Sequence, residues 1–140
     1  HDIKVANVDK HILGLSICYD LRFPELYQGL RSQGAEMISV PSAFTYNTGE
    51  AHSEILLRAR AIETLCLVLA ANQCGDHVSE ETAAVRSTWG HSMIIDPWGR
   101  VLTSLKHSPG VCSAELDFQE LFKTRNSMDI VGHKQLSISH

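Results

Sequence analysis

Cys18 is the residue with the clearest potential for chemistry, because it ends an apolar, almost uncharged run at residues 12–18 (ILGLSIC). That run predicts a buried strand, and the turn after it leads to a helix that Pro24 would begin. In an open α/β sheet, this arrangement holds a side chain at the carboxyl edge, where ligands bind. The N–H of Tyr19 would then lie beside the thiol and could stabilise an oxyanion. A cysteine that ends an apolar strand is also common in a hydrophobic core, so the residue pattern leaves both interpretations open.

The elements that must position Cys18 alternate between strands and helices, which predicts an α/β fold with a mixed sheet. A Pro-Trp-Gly turn at 97–99 predicts a hairpin, and residues 41–50 and 72–90 are expected to be loops. The stretch 128–140 shows no firm periodicity. Strands are predicted at 12–18, 37–40, 66–71, 92–96, 100–104 and 111–116, and helices at 24–32, 50–65 and 117–124.

The helix predicted at 50–65 is amphipathic. Glu54 and Arg58 are spaced i,i+4 and are expected to form an ion pair. Its core-facing stripe is predicted from apolar residues at helical spacing, namely Ile55, Leu56, Ala59, Ile62 and either Leu65 or Cys66.

Composition excludes several classes of protein. The chain has 140 residues, is 44% hydrophobic and 20% charged, and carries a formal net charge of -4, so it can bury a core and lacks the basic surface of a nucleic-acid-binding protein. It has no apolar run long enough to span a bilayer and no signal-peptide pattern. Its four cysteines follow no disulfide framework. We therefore expect reduced thiols, a cytoplasmic location, and neither a membrane nor a nucleic acid as partner.

No metal or cofactor is expected. Cys74 and His77 have the spacing of two zinc ligands, but a structural zinc site needs four. His91 is expected to be a satisfied core or interface histidine.

Four stretches of the sequence form an ordered set of motifs: 14–26 (GLSICYDLRFPEL), 41–52 (PSAFTYNTGEAH), 56–64 (LLRARAIET) and 89–102 (WGHSMIIDPWGRVL). In order and spacing they resemble motifs of the nitrilase or carbon–nitrogen hydrolase superfamily. The chain resembles most the branch that holds omega-amidase and the deaminated-glutathione amidases. The resemblance implies a four-layer α-β-β-α sandwich, of which residues 1–140 would supply about half as a single partial domain, the C-terminal portion.

The same resemblance implies a Glu–Lys–Cys triad in which Cys18 attacks an amide carbon and forms a thioester. The family carries its Glu and Lys upstream of the Cys. Lys4 and Lys10 precede Cys18 in this chain, but neither lies in the motif that carries the family's Lys. The resemblance also implies substrate-binding roles for Tyr19, Arg22, Phe44 and Thr48.

Each of these roles has a structural alternative. Arg22 is expected to grip a substrate carboxylate, but it could instead form a surface ion pair with Glu25, which otherwise supports the start of a helix. Phe44 would wall the pocket and Thr48 would hold the acid end of the substrate, or their loop is a Ser/Thr turn without a ligand. Glu54 is the possible supporting acid, although a solvated or packing helix is the simpler interpretation.

The sequence therefore predicts a carbon–nitrogen hydrolase (an amidase) that acts on the amide of a small carboxylated substrate through a cysteine thioester. It would be impaired alone because the upstream Glu and Lys are absent. The alternative is a catalytically inactive, truncated relative that acts as a binding or interaction module. Half of a sandwich would expose a strand edge and an apolar sheet face, so it should aggregate, pair with another copy or need the missing half. Of these, we expect a homo-oligomer.

Overall fold

The computed structural model describes residues 2–135, which form eight strands and four α-helices. A 3-10 helix (Cys18–Arg22) and a π-helix (Gly49–Ser53) are also present. The strands are β1 (Val5–Val8), β2 (His11–Leu15), β3 (Met37–Ser39), β4 (Leu67–Ala70), β5 (Cys74–Val78), β6 (Val85–Trp89), β7 (Met93–Ile95) and β8 (Val101–Ser104). The helices are α1 (Pro24–Ser32), α2 (Tyr46–Thr48), α3 (Glu54–Thr64) and α4 (Phe118–Ser127). Of the stretch 128–140, residues 136–140 lie outside the described residues.

The main sheet has six strands in the order β1-β2-β3-β4-β7-β8. Strands β2, β3 and β4 are parallel to one another, whereas β1, β7 and β8 pair antiparallel with their neighbours. The predicted α/β fold with a mixed sheet is therefore confirmed. Because β2, β3 and β4 run in the same direction, the segments that follow them meet at one carboxyl edge.

The core lies on both faces of this sheet, since alternate residues of a strand point to opposite faces. Ile38 and Val68 belong to the larger cluster, which α1 and α3 cover. Met37 and Leu67 lie on the other face and pack against Leu121 of α4. The expectation of an uncovered apolar face is therefore wrong for this central part of the sheet.

The predicted apolar stripe of α3 is wrong in part. Ile55 and Ile62 are 69% and 46% exposed. The residues that the helix buries are Leu57, Arg60, Ala61 and Thr64. A charged residue takes a core position here because Arg60 finds acceptors for its N–H groups, as described below.

Two other predictions are wrong. Residues 72–90 are not only loop, because β5 and β6 pair as an antiparallel hairpin. These strands are polar and largely exposed, so they lack the apolar alternation that reveals a strand. Residues 111–116 are not a strand, although exposed and half-buried side chains alternate along them. The alternation reflects an extended segment that runs beside α4 without a strand partner.

The hairpin predicted around 97–99 is confirmed, since β7 and β8 pair antiparallel. The Asp96 carboxylate stabilises the turn by accepting hydrogen bonds from the backbone N–H groups of Trp98 and Arg100 at 2.9 and 2.8 Å. None of the helices within residues 2–135 combines the length and the apolar character that crossing a bilayer requires.

Candidate active site

Cys18 lies at the carboxyl edge of the parallel strands, as predicted. Backbone pairing continues past the end of β2, where Ser16 N–H donates to Ser39 O at 3.2 Å and Cys18 N–H donates to Pro41 O at 2.8 Å. The loop that follows β3 is thereby held against the cysteine. Residues 41–48 and Cys18 consequently share one edge of the sheet.

The backbone at Cys18 is a sharp elbow. Its φ is +47°, in the left-handed region that residues with a side chain rarely adopt. The carboxylate of Asp20 accepts a hydrogen bond from Ile17 N–H at 2.9 Å, and Asp20 N–H donates to Ile17 O at 3.0 Å, so the elbow is closed on itself. The Cys18 side chain is half-buried. Within residues 2–135, the N–H of Tyr19 donates to no backbone or side-chain acceptor.

A buried chain of hydrogen bonds supports the elbow from the core side. Ser16 Oγ lies 2.9 Å from Tyr27 Oη and donates to Ser39 O at 2.8 Å, which links β2, α1 and β3. Tyr27 is completely buried, and this burial raises the pKa of its hydroxyl to about 12. Through its bond to Ser16, Tyr27 holds the residue two positions before Cys18.

Arg60 ties α3 to the same elbow, and sequence reasoning missed this role. Its Nε and Nη2 donate to Leu21 O at 3.0 and 2.8 Å, and its Nη1 donates to Glu63 Oε1 at 3.0 Å. Burial raises the pKa of Glu63, and the Arg60 guanidinium opposes that shift. The available sequence signal was the spacing of Arg60 with Leu57 and Thr64, three and four residues away on one helix face.

Arg22 ends the 3-10 helix and is bound by His52 rather than by Glu25. Arg22 Nη2 donates to His52 Nδ1 over 3.1 Å, and its guanidinium carbon lies 5.9 Å from the centre of the Tyr19 ring. The Tyr19 ring packs edge-on against Phe23 at 5.8 Å. Tyr19 itself is 68% exposed, so this surface is open to solvent.

The loop that carries Phe44 and Thr48 is fixed by local bonds. Phe44 is half-buried against the larger core cluster, and its carbonyl accepts a hydrogen bond from Trp89 N–H at 3.0 Å. The Thr48 hydroxyl donates to Thr45 O at 3.2 Å and lies 2.7 Å from Thr45 Oγ1. The substrate-binding roles predicted for Phe44 and Thr48 stay predictions.

Four rings hold this loop to the neighbouring hairpin. Tyr46 packs edge-on against Trp89 with ring centres 4.9 Å apart, and Trp89 stacks on His91 at 4.1 Å. His107 completes the group by stacking on Tyr46 at 5.4 Å. We call Tyr46, Trp89, His91 and His107 the ring cluster. His91 Nδ1 also lies 2.9 Å from Trp89 O, so His91 is a satisfied histidine, as expected.

Glu54 lies at the start of α3 and is 54% exposed in its side chain. Its carboxylate pairs with Arg58 at 3.3 Å, which confirms the predicted i,i+4 ion pair. Its role as a supporting acid stays a prediction. No group of three or more potential metal ligands forms within the part of the chain that the structure describes.

The elbow forms an open surface. The side chains of Ile17, Tyr19 and Phe23 around it are 64%, 68% and 50% exposed. The Cys18 thiol, the Tyr19 N–H and the Arg22 guanidinium therefore lie close to one exposed surface.

The family model for carbon–nitrogen hydrolases matches residues 1–126. The chain belongs to the carbon–nitrogen hydrolase family, and the resemblance seen in its motifs is confirmed.

Several individual relatives of the chain within that family are named as amidases. The deaminated glutathione amidase of Yersinia enterocolitica is 47% identical over 133 residues, a match that covers 95% of this chain and 45% of that protein. The crystal structure of the Caenorhabditis elegans NitFhit protein is 48% identical with a TM-score of 0.82, and the match covers 88% of this chain and 29% of that one.

A further solved relative carries a modified cysteine. An amidase from Nesterenkonia sp. AN1, 29% identical with a TM-score of 0.70, shows Michael addition of acrylamide at its active-site cysteine. The match covers 91% of this chain and 47% of that one. The chain thus spans less than half the length of each of these three proteins.

Proposed function

We propose that this chain is the nucleophile-bearing, C-terminal part of an amidase that hydrolyses the amide of a small carboxylated substrate through a thioester on Cys18. The observation that carries the proposal is the elbow itself. Cys18 has a φ of +47° at the carboxyl edge of the sheet, beside the Tyr19 N–H, which has no acceptor among residues 2–135. Backbone strain of this kind costs about 1–3 kcal/mol and is concentrated at active sites.

The reaction assigns a task to each atom. The Cys18 sulfur forms a bond to the amide carbon while the carbonyl oxygen becomes an oxyanion, which the Tyr19 N–H can stabilise. The C–N bond then breaks, and the leaving nitrogen takes a proton and departs as ammonia or an amine. Water next adds to the thioester carbon, the C–S bond breaks, and the thiol and a carboxylic acid are released.

The substrate class follows from the surroundings of the thiol. Arg22 lies four residues beyond Cys18, in the same 3-10 helix, and a guanidinium binds a carboxylate through two parallel hydrogen bonds. The Yersinia enterocolitica relative supports this class, because deaminated glutathione combines an amide with carboxylates. The cysteine alkylated in the Nesterenkonia amidase supports the role of the thiol.

The open surface supports a further part of the proposal. The general base, the cation of the triad and the opposite wall of the pocket would come from chain upstream of these residues in the complete gene product. A second copy of the chain could cover the remaining exposed apolar side chains around the elbow, such as Ile17 at 64% and Phe23 at 50% exposure. The 140 residues alone are then expected to hydrolyse amides weakly or not at all.

The test is product release by the complete gene product. It should release ammonia from the primary amide of a 2-oxo dicarboxylic acid, and an amine from deaminated glutathione. Cys18→Ala should lower kcat by at least about a thousandfold, because removal of a nucleophile leaves only binding and oxyanion stabilisation. Cys74→Ala is the matched control and should retain the activity. Equal rates in Cys18→Ala and the unchanged protein would refute the role of Cys18.

A further inference from the structure

We infer that His52 is a positioning residue, which holds the Arg22 guanidinium in the orientation that receives the substrate's carboxylate. The inference rests on the proposed function and adds a residue that sets substrate preference. The observation behind it is the bond from Arg22 Nη2 to His52 Nδ1 at 3.1 Å, which joins two segments 30 residues apart in the chain.

Arg22 needs such support because an arginine side chain has many rotamers, and fixing them costs up to about 2 kcal/mol. Two contacts restrict it here. The Tyr19 ring lies below the guanidinium, with 5.9 Å from the guanidinium carbon to the ring centre, within the range of a cation–π interaction. His52 fixes the remaining rotation by accepting a hydrogen bond from one terminal nitrogen.

His52 is itself held by the π-helix Gly49–Ser53. Ser53 is buried and its hydroxyl donates to Gly49 O at 2.6 Å, which closes the wide turn. Gly49 lies so close to Trp89 that a Cβ atom there would be 2.2 Å from Trp89 Cβ. His52 thus lies on a turn that is anchored at both ends, and π-helical turns of this kind are frequent at functional sites.

The chemistry explains why a histidine suits this position. A neutral imidazole accepts one N–H of Arg22 and leaves the other guanidinium N–H groups for a carboxylate. It also leaves the positive charge of Arg22 uncompensated. An Asp or Glu at position 52 would hold Arg22 as well, but it would neutralise that charge and compete with the substrate.

The experiment measures KM and kcat of the complete gene product on a 2-oxo acid amide that carries a carboxylate and on its neutral methyl ester. His52→Leu should raise KM for the carboxylated amide about five- to tenfold and change kcat less than about twofold, since it removes ground-state binding. KM for the ester should not change. His52→Asn should restore KM to within about twofold, because Asn Oδ1 can replace His Nδ1 as the acceptor. His52→Glu should raise KM for the carboxylated amide more than His52→Leu does.

The control is His133→Leu, which removes an exposed imidazole outside the elbow and its loop and should leave both constants unchanged. A spectroscopic readout covers the case in which a variant is unstable. In the chain itself, Arg22→Met should shift the 15N resonance of His52 Nδ1, and Arg31→Met should not.

The outcomes separate the two proposals. If the complete gene product hydrolyses neither amide, the proposed function fails and the inference fails with it. If Cys18→Ala abolishes the reaction but His52→Leu leaves KM for the carboxylated amide unchanged, only the inference fails. Equal losses on the acid and the ester, or an unmoved His52 resonance in Arg22→Met, would also overturn it.

Discussion

Cys18 and Cys66 lie at opposite edges of the same parallel strands and have opposite environments. Cys18 follows β2 at the carboxyl edge, where its side chain is half-buried beside exposed aromatic rings. Cys66 precedes β4 at the amino edge and is completely buried. Its thiol donates to Ala35 O at 3.2 Å, and Arg125 Nη2 lies 3.2 Å from its sulfur. Burial raises the pKa of the Cys66 thiol, although Arg125 opposes the shift.

The comparison shows that the two edges of the sheet differ in packing and in the exposure of their thiols. The amino edge is sealed by Arg125, which also donates to Leu65 O at 2.9 Å and Ala35 O at 2.8 Å. The carboxyl edge has a strained backbone and a half-buried thiol. Hydrogen bonds from Tyr27 and Arg60 support this edge from the core side. Packing therefore makes one cysteine inert and leaves the other accessible, although both lie beside apolar strands.

The largest expected difference is in thiol reactivity. In the folded chain, iodoacetamide should alkylate Cys18 at least about a hundredfold faster than Cys66, because a buried thiol with a raised pKa reacts only after local opening. Peptide mass spectrometry after timed quenching measures both rates. In urea, where burial is lost, the two rates should converge. Equal rates in the folded chain would mean that the elbow does not expose an available thiol.

Removing the Arg125 hydrogen bonds at the amino edge should have the next largest effect, a loss of stability. Arg125→Met leaves the Leu65 carbonyl without its hydrogen bond and should lower the free energy of unfolding by about 2–3 kcal/mol. Urea denaturation followed by circular dichroism measures the change. Lys123→Met on the same helix removes a side chain that is 79% exposed. That control should change stability by less than about 0.5 kcal/mol.

The stability of the chain at alkaline pH should test the buried Tyr27 hydroxyl that supports the carboxyl edge. Tyr27 has a folded-state pKa of about 12 against an ordinary value of 10.0, so between these values the unfolded chain releases a proton that the folded chain keeps. Stability should therefore fall as pH rises from about 10 to about 12, by up to about 2 kcal/mol. Tyr27→Phe should remove this component of the slope, whereas Tyr19→Phe should keep it because Tyr19 is exposed.

The smallest expected effect concerns the elbow backbone. At position 18, glycine should be more stabilising than alanine by about 0.5–1 kcal/mol, because only glycine adopts a positive φ without steric cost. At Lys123, an exposed position inside α4, the order should reverse by a similar amount, since glycine weakens a helix interior. Thermal unfolding of the two pairs of variants measures both differences. Alanine more stabilising than glycine at position 18 would contradict the strained geometry.

The sequence predicted what depends on local pattern. The helix at 24–32, the mixed sheet and the position of Cys18 at the carboxyl edge followed from apolar runs, a proline and the order of the elements, although the predicted strand 12–18 ends at Leu15. The family motifs identified the class of protein.

Long-range hydrogen bonds were not predictable in the same way. The burial of Arg60 depends on the Leu21 carbonyl, 39 residues away, and the bond between Arg22 and His52 spans 30 residues. The β5–β6 hairpin was missed because its strands are held by backbone pairing and carry no apolar face. Contacts of this kind are set by the fold rather than by neighbouring residues.

The ring cluster has an optical consequence. The indole of Trp89 packs against Tyr46 of the loop at 41–48 and against two imidazoles, so its emission depends on where that loop lies. The other tryptophan, Trp98, is 57% exposed on the β7–β8 turn and provides a constant background. The molecule thus contains its own fluorophore for following the loop in real time, without an attached dye.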